Sequence, residues 1–265
     1  MVNIVRHTLT EYFERNLRII WALVLRELAT RYGRNNLGFL WIIGEPLLFT
    51  SGVLVMWSII RPPYDHGIRL LIFVVTGYMP LTLIRHTVGH GINCIPTNIN
   101  LLYHRKITLL HFFIARTLLE IIGVSLAFFV TVSVFLLFGV ISLPPSLSLV
   151  LGGWFILSWI CFGMTLILGG VAGIYESFEK VANLLTYVMV PMTGTFFMID
   201  WLPYQYQKAV ELIPLINCVE MVRAGFFGEF VPTHYNAAYA IAWAAGFTFV
   251  GLLVLQFVRD RIDVE

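Results

Sequence analysis

The stretch that decides the fold runs from residue 25 to residue 46 and reads LRELATRYGRNNLGFLWIIGEP. Its first half carries Arg26, Arg31 and Arg34, and its second half opens a hydrophobic segment that includes Trp41. Arginine collects on the cytoplasmic side of membrane helices, and tryptophan is enriched at the membrane-water interface. The stretch therefore predicts a helix that enters a membrane from the cytoplasm.

The composition of the whole chain is that of an integral membrane protein. Of its 265 residues, 58% are hydrophobic and only 12% are charged, and the mean hydropathy is +0.83. Because lipid offers the backbone no hydrogen-bond partner, the long apolar segments are expected to be helices. The alternating pattern of a membrane barrel is not visible. Charged residues recur from Arg6 to Arg34, so we expect no signal peptide.

Six stretches are long and apolar enough to cross a bilayer, which takes about twenty residues. They cover residues 38–60, 69–91, 109–138, 147–171, 181–199 and 236–258. Apolar and charged positions recur at helical spacing before the first stretch, which predicts an amphipathic helix in the inner interface. Prolines and charges interrupt 201–230, where we expect short outer re-entrant helices. The prediction is an all-α integral membrane protein of one domain, with an interface segment 1–36 and a six-helix region 37–265.

Basic residues are distributed unequally between the two sides of this six-span arrangement. With both termini in the cytoplasm, the inner segments hold Arg6, Arg15, Arg18, Arg26, Arg31, Arg34, Arg105, Lys106, Lys180, Arg259 and Arg261. The outer segments hold Arg61, Arg69, Lys208 and Arg223. This bias obeys the positive-inside rule. The net charge of +2 gives no indication of nucleic-acid binding.

Motifs for nucleotide binding and for catalysis are absent from the sequence. The phosphate-binding loop G-x-x-x-x-G-K-[ST] does not occur. Glu45 and Glu120 stand alone on separate predicted helices, which argues against a membrane-embedded glycan-modifying enzyme. Cys94, Cys161 and Cys218 have neither disulfide nor metal-ligand spacing.

Polar residues inside the predicted spans are the remaining candidates for a site. His86 and His90 have metal-ligand spacing, but no nearby acid completes a site. With Arg85 they are expected to face a partner or a hydrated path. Arg116 and Glu120, four residues apart, are predicted to pair on one helix face.

Two motifs resemble those of a known family. The residues Arg26-Glu27-Leu28, Arg31-Tyr32, Leu37-Gly38-Phe39-Leu40-Trp41 and Pro46 resemble the entry motif of the membrane subunits of ABC-2 type exporters. Thr30-Arg31-Tyr32-Gly33 and Glu45-Pro46 look most like the capsular polysaccharide export permeases of Gram-negative bacteria. Pro214-Leu215-Ile216-Asn217 and Glu220-Met221-Val222-Arg223 resemble the family's motif before the last span. Exporters of O-antigen or teichoic acid are the alternatives within the superfamily.

The resemblance implies a homodimeric permease in the bacterial inner membrane that moves lipid-linked capsular polysaccharide. Two copies of a separate ATPase subunit would bind ATP and Mg²⁺, so no cofactor is expected on this chain. Periplasmic and outer-membrane polysaccharide export proteins are further expected partners. The loop between the second and third spans, which reads NINLLYHRK at 98–106, would contact the ATPase. Without the resemblance this loop also fits an ordinary basic inner loop.

Two sets of site residues follow, with no catalytic and no metal-binding residue among them. The expected ATPase contacts are Arg26, Glu27, Arg31, Tyr32, Leu101, Leu102, Tyr103, Arg105 and Lys106. The expected substrate path holds Arg34, Glu45, Tyr78, Arg85, His86, Trp159 and Tyr187. Aromatic rings can stack on sugars, but they also fill lipid-facing positions by default. A carboxylate such as Glu45 is costly to bury in lipid, so it is expected to face protein, water or the partner copy.

Overall fold

The computed structural model describes residues 9–33, 38–65, 67–101 and 107–262. Within these residues the chain forms nine α-helices and one two-residue hairpin of strands β1 (Tyr64–Asp65) and β2 (Ile68–Arg69). The helices are α1 (Leu9–Tyr32), α2 (Gly38–Ile60), α3 (Leu70–Ile92), α4 (Leu109–Leu137), α5 (Leu147–Ile174), α6 (Glu176–Val188), α7 (Tyr204–Val210), α8 (Pro214–Phe227) and α9 (Ala237–Ile262). The all-α membrane architecture is thereby confirmed.

Five of these helices, α2, α3, α4, α5 and α9, are long and apolar enough to cross a membrane. They coincide with five of the six predicted spans. Helix α3 lies at the centre and is mostly buried, whereas most of α2 and α9 remains exposed. The exposed apolar surface of such a helix must be covered by lipid or by a partner protein.

The predicted fifth span, 181–199, does not form one continuous helix. Helix α6 ends at Val188, and a short 3₁₀-helix, Pro191–Thr193, follows. Proline supplies no N–H for a continuing helix, and Gly194 has a positive φ of 69°. Hydropathy alone misses this interruption because both residues lie within an apolar run.

Close approach of helices around α5 depends on its glycines. A Cβ at Gly163 would lie 2.8 Å from the backbone nitrogen of Thr248 in α9. At Gly153 it would lie 2.9 Å from the carbonyl oxygen of Cys218 in α8. Small residues let membrane helices pack backbone to backbone, so α5 is in direct contact with both neighbours.

Helix α1 has the amphipathic character predicted for an interface helix. Leu23 and Val24 are buried against the bundle, whereas Leu17 and Trp21 are exposed. Exposed apolar side chains on a charged helix suit the boundary between water and lipid.

The segment 201–230 contains two α-helices, and their re-entrant placement on the outer side stays a prediction. Helix α7 is exposed, but α8 is buried within the protein over most of its length. Helix α8 therefore belongs to the protein core.

Candidate functional site

A cluster of charged and polar side chains joins α1, α3 and α4 at the end where α3 finishes. We call it the inner network, and it consists of Arg26, Glu27, Arg31, His86, His90, Asn98, Arg116 and Glu120. Asn98 belongs to the 3₁₀-helix Pro96–Leu101 that follows α3. Charges buried at such a position must pair, because each would otherwise lose its hydration without compensation.

The ion pair between Glu27 and Arg116 is the centre of the inner network. Glu27 is 6% exposed and Arg116 is 8% exposed. Two nitrogens of Arg116, Nε and Nη2, lie 2.5 Å from Oε1 of Glu27. Nη1 donates to the carbonyl of His90 at 3.1 Å and to Oγ1 of Thr97 at 3.3 Å. One guanidinium therefore connects α1, the end of α3 and the 3₁₀-helix.

Glu120 is in contact with three side chains on other helices. Its carboxylate is hydrogen bonded to Arg31 of α1. Nδ1 of His90 lies 2.9 Å from Oε1 of Glu120, and Nδ1 of His86 lies 3.5 Å from Oε2. The predicted pairing of Arg116 with Glu120 is therefore wrong, because each has a closer partner on another helix.

His86 lies between two carboxylates. Its Nε2 is 3.7 Å from Oε1 of Glu45, on α2, and its other ring nitrogen faces Glu120. The expectation that both acids stand alone is therefore also wrong. The expectation failed because Glu45, His86 and Glu120 come from three different helices, α2, α3 and α4. Only the packing of these helices brings the three side chains together.

The same cluster brings an acid to the two histidines, which the sequence had not indicated. Ligand atoms of His86, His90 and Glu120 all lie within 4.8 Å of one another. However, Arg31 is bonded to Glu120, and its Nη1 lies 3.4 Å from Nδ1 of His90. A guanidinium thus supplies the positive charge here, and a cation would have to displace it. The geometry of this cluster therefore supports ion pairing between helices.

The residues expected to contact an ATPase divide into two groups. Arg26, Glu27 and Arg31 belong to the inner network, and Arg26 donates to Oδ1 of Asn98. Leu101 is half-buried at the end of the 3₁₀-helix. The side chain of Tyr32, and residues Leu102, Tyr103, Arg105 and Lys106, lie outside the described residues. Contact with a partner stays a prediction for all of them.

Among the residues expected along a substrate path, two pairs are in contact. Glu45 faces His86, and the guanidinium of Arg85 lies 5.6 Å from the ring centroid of Tyr187. Tyr187 is 63% exposed, so this pair is open to the surroundings of the chain.

The other three substrate-path residues are placed separately. Tyr78 is buried among aromatic rings, with Trp57 and Phe196 at centroid distances of 6.3 Å and 5.9 Å. Nε1 of Trp159 donates to Oγ1 of Thr248 at 3.0 Å, which joins α5 to α9. Arg34 lies outside the described residues.

A second buried ion pair, between Glu220 and Arg223 on α8, was not among the predicted site residues. Both side chains are fully buried, and Nη1 of Arg223 lies 3.5 Å from Oε1 of Glu220. Nη1 also donates to the carbonyl of Phe197 at 2.7 Å. Burial lowers the pKa of Arg223 to about 10, so the guanidinium stays charged at neutral pH. The i,i+3 spacing of the two charges in the sequence could have indicated the pair.

The Glu220–Arg223 pair holds the loops on either side of α8. Arg223 lies over the ring of Phe73 at 4.6 Å, and its Nη2 donates to the carbonyl of Thr195. Glu220 accepts from the backbone N–H groups of Ile199 and His234. The pair thus fixes the segment that follows α6 and the segment that precedes α9.

These features define a multi-span helical membrane protein whose polar residues serve helix coupling. Comparison with known proteins agrees. The chain is 37% identical over 248 residues to the capsule polysaccharide export inner-membrane protein CtrC of Neisseria meningitidis serogroup A. It is 35% identical over 248 residues to the capsule polysaccharide export inner-membrane protein BexB of Haemophilus influenzae. Both alignments cover 94% of each chain.

A more distant relative is the polysialic acid transport protein KpsM of Escherichia coli, 27% identical over 251 residues. No protein-family model matches the chain. The protein belongs to the family of capsule polysaccharide export inner-membrane proteins, the ABC-2 type permease subunits. The resemblance drawn from the two sequence motifs is thereby confirmed, and the chain is a multi-pass inner-membrane protein.

Proposed function

We propose that this chain is the membrane subunit of an ATP-driven exporter that carries lipid-linked capsular polysaccharide across the inner membrane. The observation that carries the proposal is the 37% identity, over 94% of both chains, to a capsule polysaccharide export protein. The names of these relatives favour capsular polysaccharide over O-antigen or teichoic acid as the cargo. Gene disruption in the native host should retain the polymer inside the cell, and restoring the gene should return it to the surface.

ATP hydrolysis is assigned to a separate subunit. The chain has no phosphate-binding loop, and the part of it that the structure describes consists mainly of helices, five of them long and apolar enough to cross a membrane. We propose a homodimer with two ATPase subunits, and with export proteins of the periplasm and outer membrane as further partners. Export that persists with a hydrolysis-deficient ATPase would favour a channel instead.

The inner network suggests how the ATPase acts on the membrane helices. Both segments expected to contact the ATPase are joined within it, since Arg26 bonds Asn98 and Arg116 bonds both Glu27 and Thr97. A push on the loop 98–106 therefore reaches α1, α3 and α4 together. Movement of these helices as one unit would change the pore at the dimer axis.

The proposed topology has six crossings. Helix α6 has 13 residues and is therefore about 20 Å long, which is shorter than a 30 Å hydrocarbon core. We propose that α6 and the irregular residues up to Ile199 complete the fifth crossing together, with polar backbone groups shielded by neighbouring helices. Both termini are then cytoplasmic, and α7 with α8 lies on the outer side.

Cysteine labelling tests this topology. Lys208→Cys and Arg261→Cys, both at exposed positions, should react with a membrane-impermeant thiol reagent from opposite sides of the membrane. The natural Cys94 and Cys218 give little background, because burial raises the pKa of each thiol to about 12 and the reactive thiolate is scarce. Labelling of both new cysteines from the same side would contradict six crossings.

Docking of the ATPase is tested at the loop 98–106. Tyr103→Asp should weaken association by a few kcal/mol, roughly, because a charge would enter a contact expected to be apolar. Co-purification of the ATPase with the permease measures the effect. Tyr64→Asp is the matched control, since Tyr64 is exposed in the hairpin on the opposite side. Normal co-purification by both variants would place the docking site elsewhere.

A further inference from the structure

The inner half of α3 carries a cation that has no acidic partner among the described residues. Arg85 lies about 10 Å, at the rise of an α-helix, before the end of α3 at Ile92. No acidic side chain of the described residues pairs with Arg85, and its guanidinium lies 5.6 Å from the ring centroid of Tyr187 in α6. Arg116 and Arg223, by contrast, each pair with a buried carboxylate. Arg85 therefore lacks the counter-ion that these two arginines have.

The surroundings of Arg85 indicate a hydrated space beside α3. The next residue, His86, faces Glu45 of α2, and the Glu45 side chain is 47% exposed. Arg85 is itself only partly buried. Further along the same face of α3, a Cβ on Gly89 would meet no neighbouring atom within 4 Å, so the space next to Arg85 is open. Because charged side chains inside a membrane are costly in lipid, two of them exposed at one depth indicate access for water.

The chemistry of the pair selects an oxyanion as its ligand. A guanidinium presents a planar fork of N–H donors that matches a phosphate or a carboxylate. The ring of Tyr187 attracts the guanidinium but brings no negative charge to neutralise it. The counter-ion of Arg85 is therefore expected to come with a ligand.

The depth of Arg85 favours the exported cargo over a phospholipid head group as the source of that oxyanion. The interface helix α1 marks the level of the head groups, and its Arg26 bonds Asn98, which lies beyond the end of α3. Arg85 lies within α3, on the membrane side of this level. A cargo that crosses the membrane must pass this depth, whereas a resting phospholipid keeps its head group at the interface.

We propose that Arg85, together with Tyr187, binds an acidic group, a phosphate or a carboxylate, of the lipid-linked polysaccharide as it enters the membrane. The inference rests on the proposed export function and adds the chemical class of the group that is recognised. Since the two side chains belong to α3 and α6, a bound anion is held between these helices.

Binding of a small probe by the full-length protein in phosphatidylcholine nanodiscs tests the proposal. The probe is glucose 1-phosphate, with glucose as its neutral counterpart, and saturation-transfer difference NMR measures both. We expect binding of the phosphorylated sugar only, and about tenfold weaker binding by Arg85→Gln, because charge-assisted hydrogen bonds are lost. Arg85→Lys should retain part of the binding, since the charge remains and the fork is lost. Arg69→Gln is the matched control, because Arg69 lies over the ring of Tyr64 at the other end of α3.

Surface polysaccharide in the native host gives a second readout. Arg85→Gln and Tyr187→Leu should each export several-fold less polymer, whereas Tyr187→Phe keeps the aromatic ring and should export normally. Thermal midpoints of these variants should match that of the wild type, because no buried carboxylate of the described residues loses its partner. Lower export at an unchanged midpoint separates recognition of the cargo from stability.

Three results would overturn the proposal. The first is equal binding of glucose 1-phosphate by Arg85→Gln and the wild type, and the second is equal loss of binding by Arg85→Gln and Arg69→Gln. The third is loss of probe binding when phosphatidylglycerol is added to the nanodiscs, which would assign Arg85 to a phospholipid head group. Polymer that stays on the surface after gene disruption would instead count against the proposed export function, a result that the binding measurements cannot produce.

Discussion

Glu27→Ala is expected to lower the free energy of unfolding by about 3–5 kcal/mol, because it leaves the buried guanidinium of Arg116 without its carboxylate. Glu27 is the nearest acidic partner of Arg116, with two nitrogens at 2.5 Å. Such a loss corresponds to an apparent thermal midpoint roughly 10 °C lower for a protein of this size. Thermal unfolding of the detergent-solubilised protein measures it.

The control for this variant lies on the same helix. Glu14 also pairs with an arginine, Arg18, but at 3.8 Å and with both side chains exposed. Because water screens that pair, Glu14→Ala should leave the midpoint nearly unchanged. Replacement of both Glu27 and Arg116 by apolar residues should cost less than either single change, because neither charge is then left alone. Equal midpoints for Glu27→Ala and Glu14→Ala would contradict the structure.

A conservative variant distinguishes a role of the inner network in coupling the ATPase to the membrane helices from a role in the stability of the fold. Arg116→Lys keeps the charge but replaces the planar fork that reaches Glu27, the His90 carbonyl and Thr97 together. If the inner network couples the ATPase to the membrane helices, this variant should associate with the ATPase normally and export several-fold less polysaccharide. Full export would restrict the network to a structural role.

Arg223→Leu is expected to have a comparable effect on stability at the Glu220–Arg223 pair. It removes the cation from a fully buried pair, and it removes the donors to the carbonyls of Phe197 and Thr195. We expect a loss of about 3–5 kcal/mol, again measured as a lower thermal midpoint. Glu229→Gln, at an exposed position just after α8, is the control and should change little.

The effect of Arg223→Leu should also depend on pH. Burial raises the pKa of Glu220, and the charge of Arg223 opposes this rise. Without Arg223 the pKa rises further, so Glu220 takes up a proton in the folded state more readily than in the unfolded state. Stability is then retained at low pH and lost as the pH rises through that raised pKa. The double variant with Glu220→Gln should lose this pH dependence, and its persistence would contradict the assignment.

Much of the fold could be predicted because membrane insertion is decided locally. A run of about twenty apolar residues is sufficient for a spanning helix whatever the rest of the chain does. The runs that became α2, α3, α4, α5 and α9 are of this kind. The run at 181–199 does not form one continuous helix, because Pro191 and Gly194 change the backbone without lowering the hydropathy. The backbone structure of this run therefore depends on two individual residues and not on its average hydropathy.

The sequence by itself determined the membrane class, the amphipathic entry helix and the two motifs that resemble the exporter family. The tertiary structure alone decided the partners of the buried charges in the inner network. Glu27 and Arg116 are 89 positions apart, as are Arg31 and Glu120, whereas spacing within one helix had suggested Arg116 with Glu120. A buried charge is most stable beside the partner whose charge and hydrogen bonds best compensate for its lost hydration. Which partner does so depends on how the helices pack, and that information is not contained in any single segment.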